Sequence, residues 1–334
     1  MSLPLAPPGA TPPAVALVGT TASGKSSVAM TVARELRDVE IVCVDSMTVY
    51  RGMDIGTAKP SAADREAVRH HLLDLADPAE EFTVRRFQEA ARSALADIAA
   101  RSRRALLVGG TGLYLRAVVD DLEIPARYPD VVAALEAEAD APDGLSRLYE
   151  RLRALDPVAA GRTTPTNRRR IVRALEVTIG SGRPFSSYGP GLGTYGPSGV
   201  TMIGLPFDPA ETDRRIEARF ARWVHEGLVD EVRALAANRD GLSRTARQAL
   251  GYKELLVHVV DGVELETCVA RAVQRTRAFA RRQWSWFRRD PRVRWVGSAE
   301  DAVAVVAEAL AAPGEETSAA AVGPHGRRTR GARL

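Results

Sequence analysis

The sequence predicts an α/β fold: a parallel sheet covered on both faces by helices, a P-loop-containing three-layer fold, plus a helical insertion domain. Three observations predict it. Short, continuously apolar runs alternate with segments of helical period, the pattern of parallel strands buried on both faces. One such run feeds the glycine-rich stretch GTTASGKS at 19–26 and then a helical segment. Residues 122–197, in contrast, carry helical patterns and no strand pattern.

Taken in order, residues 1–13, MSLPLAPPGATPP, are rich in Pro and Ala and read as a disordered tail. AVALVG (14–19) is a strand, followed by a helix from about 25 to 37. EIVCVD (40–45) is the second strand, and a helix over 83–101 precedes a third, ALLVGG (105–110). TMIGLPF (201–207) and RVRWV (292–296) add strands, so the α/β core comprises 14–121 and 198–312. Inside the 122–197 insertion the helical patterns fall at 130–140, 144–155 and 168–180. It closes with GSGRPFSSYGPGLGTYGPSG, a loop whose composition predicts a flexible tether, its 189–199 part letting the insertion swing. From 209 onward helices return. In RRIEARFARWVHEGLVDEVRAL one helical spacing joins Ile216, Phe220, Trp223, Val224, Leu228 and Val232 as core-facing residues. Residues 313–334 read as a second disordered tail.

The 334 residues are 45% hydrophobic and 26% charged, enough to bury a substantial core. Net charge is +4, and Lys25, Lys59 and Lys253 are the only lysines, so the positive charge is almost wholly arginine. That balance suits a nucleic-acid partner, although the placement of the arginines says more than their total. Cys43 and Cys268 are too few for a disulfide framework and wrongly spaced for a metal knuckle; Cys43, inside an apolar run, reads as core. No stretch approaches the roughly 20 apolar residues that cross a bilayer, and the start lacks a signal-peptide pattern. These features predict a cytoplasmic protein without membrane contact. No apolar surface helix is left over, which predicts a monomer.

Gly19, Thr20, Thr21, Ala22, Ser23, Gly24, Lys25 and Ser26 satisfy the P-loop pattern between a buried strand and a helix. Backbone N–H groups and the helix N-terminus there favour phosphate, Lys25 adds a mobile cation, and the Ser26 hydroxyl can ligate Mg²⁺. The pattern leaves the phosphorylated compound open. A nucleotide hydrolase carries an acid at the end of a later strand to hold Mg²⁺, yet ALLVGG runs into Gly-Gly-Thr111-Gly-Leu-Tyr114. The acid follows the second strand instead, as Asp45 in VDSMTVY, at the carboxyl end of the sheet where such folds hold ligands. A carboxylate there can accept a proton or hold Mg²⁺ through water; the competing reading is a cap on the next segment.

ALVGTTASGKSSVA, VDSMTVYRGMDIGTAKP, HHLLD, LLVGGTGLYLRAV, RRRIVRALEV, ALGYKE and TRAFARRQWSWFR occur in this order over residues 15–288. Together they resemble the tRNA dimethylallyltransferases (tRNA isopentenyltransferases). The resemblance implies transfer of a dimethylallyl group from dimethylallyl diphosphate to N6 of adenosine 37, beside the anticodon, in tRNAs reading codons that begin with U. Diphosphate would then be the leaving group, held by the 19–26 loop with Mg²⁺. On the same resemblance Asp45 is the general base and Thr111 positions the reacting amine. The target nucleotide meets Asp45, Ser46, Met47 and Thr48. Further RNA contacts are implied at Val132, at Arg169, Arg170, Ile171, Val172 and Arg173, at Gln248, Gly251, Tyr252 and Lys253, and at Arg277, Arg281, Arg282 and Gln283. Guanidinium groups concentrated in these stretches suit phosphate and stacking contacts, while a solvated helix face is the competing reading of each singly. Trp284, Trp286 and Phe287 could stack on bases, with buried packing expected for at least two of them.

The chain departs from the family pattern in places. Many relatives carry Gln at the position of Thr48, some a basic residue at Val132, and Asp is common at Asn167. Three other readings stay open. A relative that prenylates free adenylate would not need the insertion or its arginine clusters. A small-molecule P-loop kinase could use Asp45 as base but does not account for GGTGLY. A non-catalytic RNA-binding module would have no use for Asp45 beside a P-loop.

Overall fold

The computed structural model describes residues 14–312; both predicted tails lie outside them. Strands β1 (Ala14–Val18), β2 (Val39–Val44), β3 (His70–His71), β4 (Arg104–Gly109), β5 (Val200–Gly204) and β6 (Val293–Trp295) form one parallel sheet in the order β3-β2-β4-β1-β5-β6. The helices between them are α1 (Lys25–Leu36), α2 (Ala62–Ala67), α3 (Val84–Ala100) and α4 (Gly112–Val119), then α5 (Pro129–Asp140), α6 (Gly144–Leu155), α7 (Pro157–Gly161) and α8 (Arg168–Ser181). The chain ends through α9 (Pro209–His225), α10 (Leu228–Ala236), α11 (Tyr252–Asp261), α12 (Leu265–Phe287) and α13 (Ala299–Ala311).

Strand alternation sorts the core into two layers. Val15 and Leu17 of β1, Ile41 of β2, Leu106 of β4 and Ile203 of β5 pack against Val28 and Val32 of α1 and Val306 of α13. Ala16, Val18, Val42, Val44, Leu107 and Met202 face the other way, toward Phe87 of α3, Leu115 of α4, Phe220 of α9 and Ala280 of α12. Because both faces are covered, the strand sequences read as unbroken apolar runs, as the sequence suggested.

Three local features escaped the sequence reading. β3 is two residues long, too short for any periodicity to declare it. α7 is a single turn capped by Asp156, whose carboxylate accepts from the Ala159 N–H at 2.9 Å. The helical spacing read through 214–235 spans two helices: Gly227, at φ 101°, separates α9 from α10. The break leaves Val224 only partly buried, while Ile216, Phe220, Trp223, Leu228 and Val232 are in the core.

The insertion has a hydrophobic cluster of its own, made by Leu135, Leu148, Leu152, Ala160, Ile171 and Leu175. Its C-terminal tether makes specific contacts that a Gly/Pro/Ser-rich composition does not foretell. Buried Arg116 of α4 donates to the carbonyls of Leu192 (3.0 Å) and Thr194 (2.8 Å), and its guanidinium lies 4.6 Å from the Tyr195 ring centre. Arg292 donates to the Gly196 carbonyl at 2.9 Å and, with Arg116, pairs with Asp120. Composition misled because the anchors lie on other elements, distant in sequence. Arg116→Ala is expected to cost about 3 kcal/mol, since Asp120 and two loop carbonyls lose a buried donor. Faster hydrogen exchange confined to 192–196 would accompany it, and unchanged exchange there would contradict the anchor.

Candidate active site

Register brings the chemistry together. Gly109 of β4 is aligned with Val44 of β2 on one side and Val18 of β1 on the other. The next residues, Asp45, Gly110 and Gly19, therefore emerge side by side at the carboxyl edge. With strands spaced about 4.8 Å, roughly 10 Å separates the Asp45 position from the start of the P-loop, and the Thr111 turn lies between them.

The GGTG stretch fits because three neighbours leave no room for a side chain. A Cβ on Gly109 would stand 2.1 Å from the Val44 carbonyl oxygen, one on Gly110 2.3 Å from Gln283 Nε2, and one on Gly112 2.2 Å from Trp286 Nε1. Thr111 alone in this turn projects a side chain. It is the N-cap of α4, yet its hydroxyl makes no capping bond and instead donates to Asp45 Oδ2 at 3.4 Å. The other Asp45 oxygen accepts from the Met47 N–H at 2.7 Å, an Asx turn that fixes the carboxylate. The two oxygens are thus used differently, one in the local turn and one toward Thr111. Thr48 is buried beside it, and its hydroxyl has no hydrogen-bond partner among the described residues.

The P-loop ends on Gly24, at φ 95°, which caps α1 in a left-handed conformation that favours glycine. Lys25 Nζ folds back to donate to the Thr20 carbonyl at 2.5 Å. Burial and the adjacent Arg219 push Lys25 down to about 7, against a smaller upward pull from Asp45. Arg219 and Arg215, one turn apart on α9, donate to Thr21 Oγ1 (3.1 Å) and to the Ala22 carbonyl (3.4 Å). Neither was singled out from the sequence. The i, i+4 pair beside the core stripe of α9 is the signal that marks them, but it looks the same as a solvated face. Lys25, Arg215, Arg219 and the N-terminus of α1 together make an anion cradle that faces the Asp45–Thr111 pair.

A family model described as IPP transferase matches residues 48–290. The chain belongs to the IPP transferase family. A tRNA dimethylallyltransferase of Salinispora arenicola is 47% identical over 298 residues, covering 89% of this chain and 85% of its own. One from Kineococcus radiotolerans is 48% identical, with 85% and 90% covered. The crystal structure of the full-length tRNA isopentenylpyrophosphate transferase of Bacillus halodurans matches with a TM-score of 0.62 at 35% identity, over 89% of this chain and 96% of that one. A eukaryotic dimethylallyltransferase captured acting on tRNA matches with a TM-score of 0.68 at 26% identity, over 82% and 69%.

Within this IPP transferase, the residues assigned to RNA by resemblance divide into exposed and buried sets. Arg169 and Arg170 are exposed on α8, as are Gln248, Arg281 and Arg282 on the core. Arg277 and Arg281 pair with Glu217 and Asp213 of α9, and Gln248 accepts from Lys253 at 2.7 Å. The others turn toward the protein interior. Ile171 and Val172 are buried in the insertion core, and Val132 packs against it. Arg173 turns inward to the carbonyls of Pro125 and Ala126 and to Glu176, stapling the segment that enters the insertion. Tyr252 is fully buried, and its hydroxyl donates to Glu231, which also accepts from the N–H groups of Asp54 and Ile55. Gly251 is buried at φ 86° as the N-cap of α11. Gln283 is buried between the P-loop and β4. Motif proximity had grouped these residues with the exposed arginines; their helix faces turn them into the protein. Phe287 is buried, Trp286 packs on Gly112, and Trp284 packs on Phe207 and Trp295, so all three have packing roles, while Trp284 and Trp286 stay partly exposed.

Cys43 is partly buried and packs against the core, its thiol pushed up to about 12 by burial and then by the Asp45 charge. Among the described residues no group of three or more His, Cys, Asp or Glu could hold a metal ion. For Mg²⁺ that donor set is sufficient only beside a phosphate ligand, because this ion is commonly held by few protein oxygens plus phosphate and water. The exposed Ser26 hydroxyl at the start of α1 fits such a role.

Proposed function

We propose that this enzyme transfers the dimethylallyl group of dimethylallyl diphosphate to N6 of adenosine 37 in tRNAs reading codons that begin with U. The observation that carries the reading is the Asp45–Thr111 contact beside a P-loop whose neighbouring strand ends in glycines rather than an acid. The N6 lone pair attacks the allylic C1, the C1–O bond breaks, and its electrons leave with diphosphate. The N6 proton passes to the Asp45 oxygen that faces Thr111, and the Thr111 hydroxyl holds the amine in line. An exocyclic amine is a poor nucleophile, so alignment supplies much of the rate. Lys25, Arg215, Arg219 and the loop N–H groups take the negative charge that develops on the leaving group. Ser26 would hold Mg²⁺ with the diphosphate, where the ion adds positive charge to the leaving group.

A base in an anticodon loop is stacked and must be extruded to reach Asp45. The exposed arginines of α8 and α12 grip the stem and loop phosphates during that step. The large exposed apolar residues, such as Leu75, Leu155, Ile179 and Val260, are scattered over different elements, which supports a monomer. No helix of the described residues is long and apolar enough to cross a membrane, consistent with work in the cytoplasm.

Labelled dimethylallyl diphosphate offered with Mg²⁺ and either AMP, unmodified tRNA or tRNA lacking the target adenosine tests this. Label on the unmodified tRNA alone is expected; label on AMP but not tRNA would sink the proposal.

Lys25 gives a second, independent test. At about pH 8 the free side chain is largely neutral, and a bound anion raises its affinity for a proton, so binding takes one up. Below about pH 6 it is already charged and the uptake disappears. Calorimetry of inorganic diphosphate with Mg²⁺, in buffers of different ionisation enthalpy, should show up to about one more proton taken up by wild type than by Lys25→Met. Equal uptake by both proteins would remove Lys25 from the cradle.

A further inference from the structure

Gln283 lies on α12, and its carboxamide joins two segments far apart in the chain. Its Oε1 accepts from the Thr21 N–H at 2.8 Å, and its Nε2 donates to the Gly110 carbonyl at 2.9 Å. The side chain is 6% exposed, so neither bond has water as a ready substitute. Both partners matter to the chemistry. Thr21 sits at the crown of the P-loop, and Gly110 directly precedes Thr111. The amide orientation is dictated, because one partner is a donor and the other an acceptor. One turn further along the same helix face, Trp286 closes over Gly112, so α12 clasps the Thr111 turn from both sides.

We propose that Gln283 is a positioning residue for the transfer step. It sets the separation between the leaving-group cradle and the Asp45–Thr111 pair, and so keeps the allylic carbon in line with N6. This rests on the dimethylallyl-transfer reading above. It differs from the RNA contact that family resemblance suggests for Gln283, since the amide is turned into the protein and bonded there through both its oxygen and its nitrogen.

The chemistry of replacement follows. Glu at 283 is isosteric and still accepts from Thr21, but it sets a carboxylate oxygen against the Gly110 carbonyl and adds negative charge beside the cradle. Met matches the length and makes neither bond. In both variants the cradle and the Thr111 turn are no longer tied together. A displacement of about 1 Å at a reacting centre can cost about a hundredfold in rate. A misaligned acceptor also lets water compete for the allylic carbon.

The readout is therefore product partition: dimethylallyl alcohol formed per dimethylallyl group on tRNA, in single turnovers at saturating tRNA and dimethylallyl diphosphate. This ratio does not depend on how much of a preparation is folded. Gln283→Met and Gln283→Glu should each raise it about tenfold or more and slow transfer by about a hundredfold. Affinity for the anticodon stem-loop should stay within about threefold. An unchanged ratio with fewer active molecules would mean a purely structural residue and overturn the proposal. Weaker stem-loop binding with a normal rate at saturation would restore the RNA-contact reading and overturn it equally. Should Gln283→Met fail to fold, the ratio for Gln283→Glu decides alone. A wild-type protein that leaves tRNA unlabelled would instead refute the transfer reading itself, before any variant is compared.

Discussion

Replacing Asp45 with alanine is expected to lower the rate of transfer by about two to four orders of magnitude while tRNA affinity stays nearly intact. The structure explains why the two effects should separate. One carboxylate oxygen holds the Asx turn with Met47, and the other meets the Thr111 hydroxyl at the end of the neighbouring strand. Alanine removes both, so Asp45→Asn is the sharper variant. Its amide oxygen can still accept from the Met47 N–H and keep the turn, but it cannot take a proton. Asn should therefore fall nearly as far in single-turnover rate while keeping wild-type thermal stability. A loss confined to tRNA binding in either variant would remove Asp45 from the base role.

Gly109→Ala should destabilise the fold strongly, by about 3 kcal/mol or more. The new methyl would meet the carbonyl oxygen of Val44 at 2.1 Å, and that oxygen belongs to the adjacent strand rather than to a movable side chain. Relief requires β2 and β4 to part at the edge that holds Asp45 and Thr111. Denaturant unfolding should reveal the loss, with activity falling further than stability alone explains. Gly193→Ala is the matched control. Its Cβ would meet nothing within 4 Å, so it should stay within about 0.5 kcal/mol of wild type. A near-neutral Gly109→Ala would show that the two strands tolerate a wider spacing there.

What the sequence discloses, and what it hides, follows from how each residue is used. The sheet was legible because its strands are covered on both faces and so lack polar interruptions. The P-loop was legible because its backbone conformation demands a fixed glycine spacing, and Asp45 and Thr111 because each lies just past a readable strand. Arg215 and Arg219 were hidden: an arginine aimed at a phosphate loop and one aimed at water occupy the same polar stripe of an amphipathic helix. Ile171, Tyr252 and Gln283 show the converse. They sit inside stretches that the family resemblance assigns to RNA, yet helical periodicity turns them inward. Arg116 was read only as part of a motif, and its role in pinning the 192–196 loop depends on a contact 76 residues away.

In the proposed reaction the P-loop holds a leaving diphosphate rather than a nucleotide being cleaved. Counting diphosphate released against dimethylallyl groups gained by tRNA, with ATP absent, tests it most directly. One diphosphate for each modified adenosine, in the absence of any nucleoside triphosphate, is the predicted result. A requirement for ATP, or tRNA modification without matching diphosphate release, would contradict it.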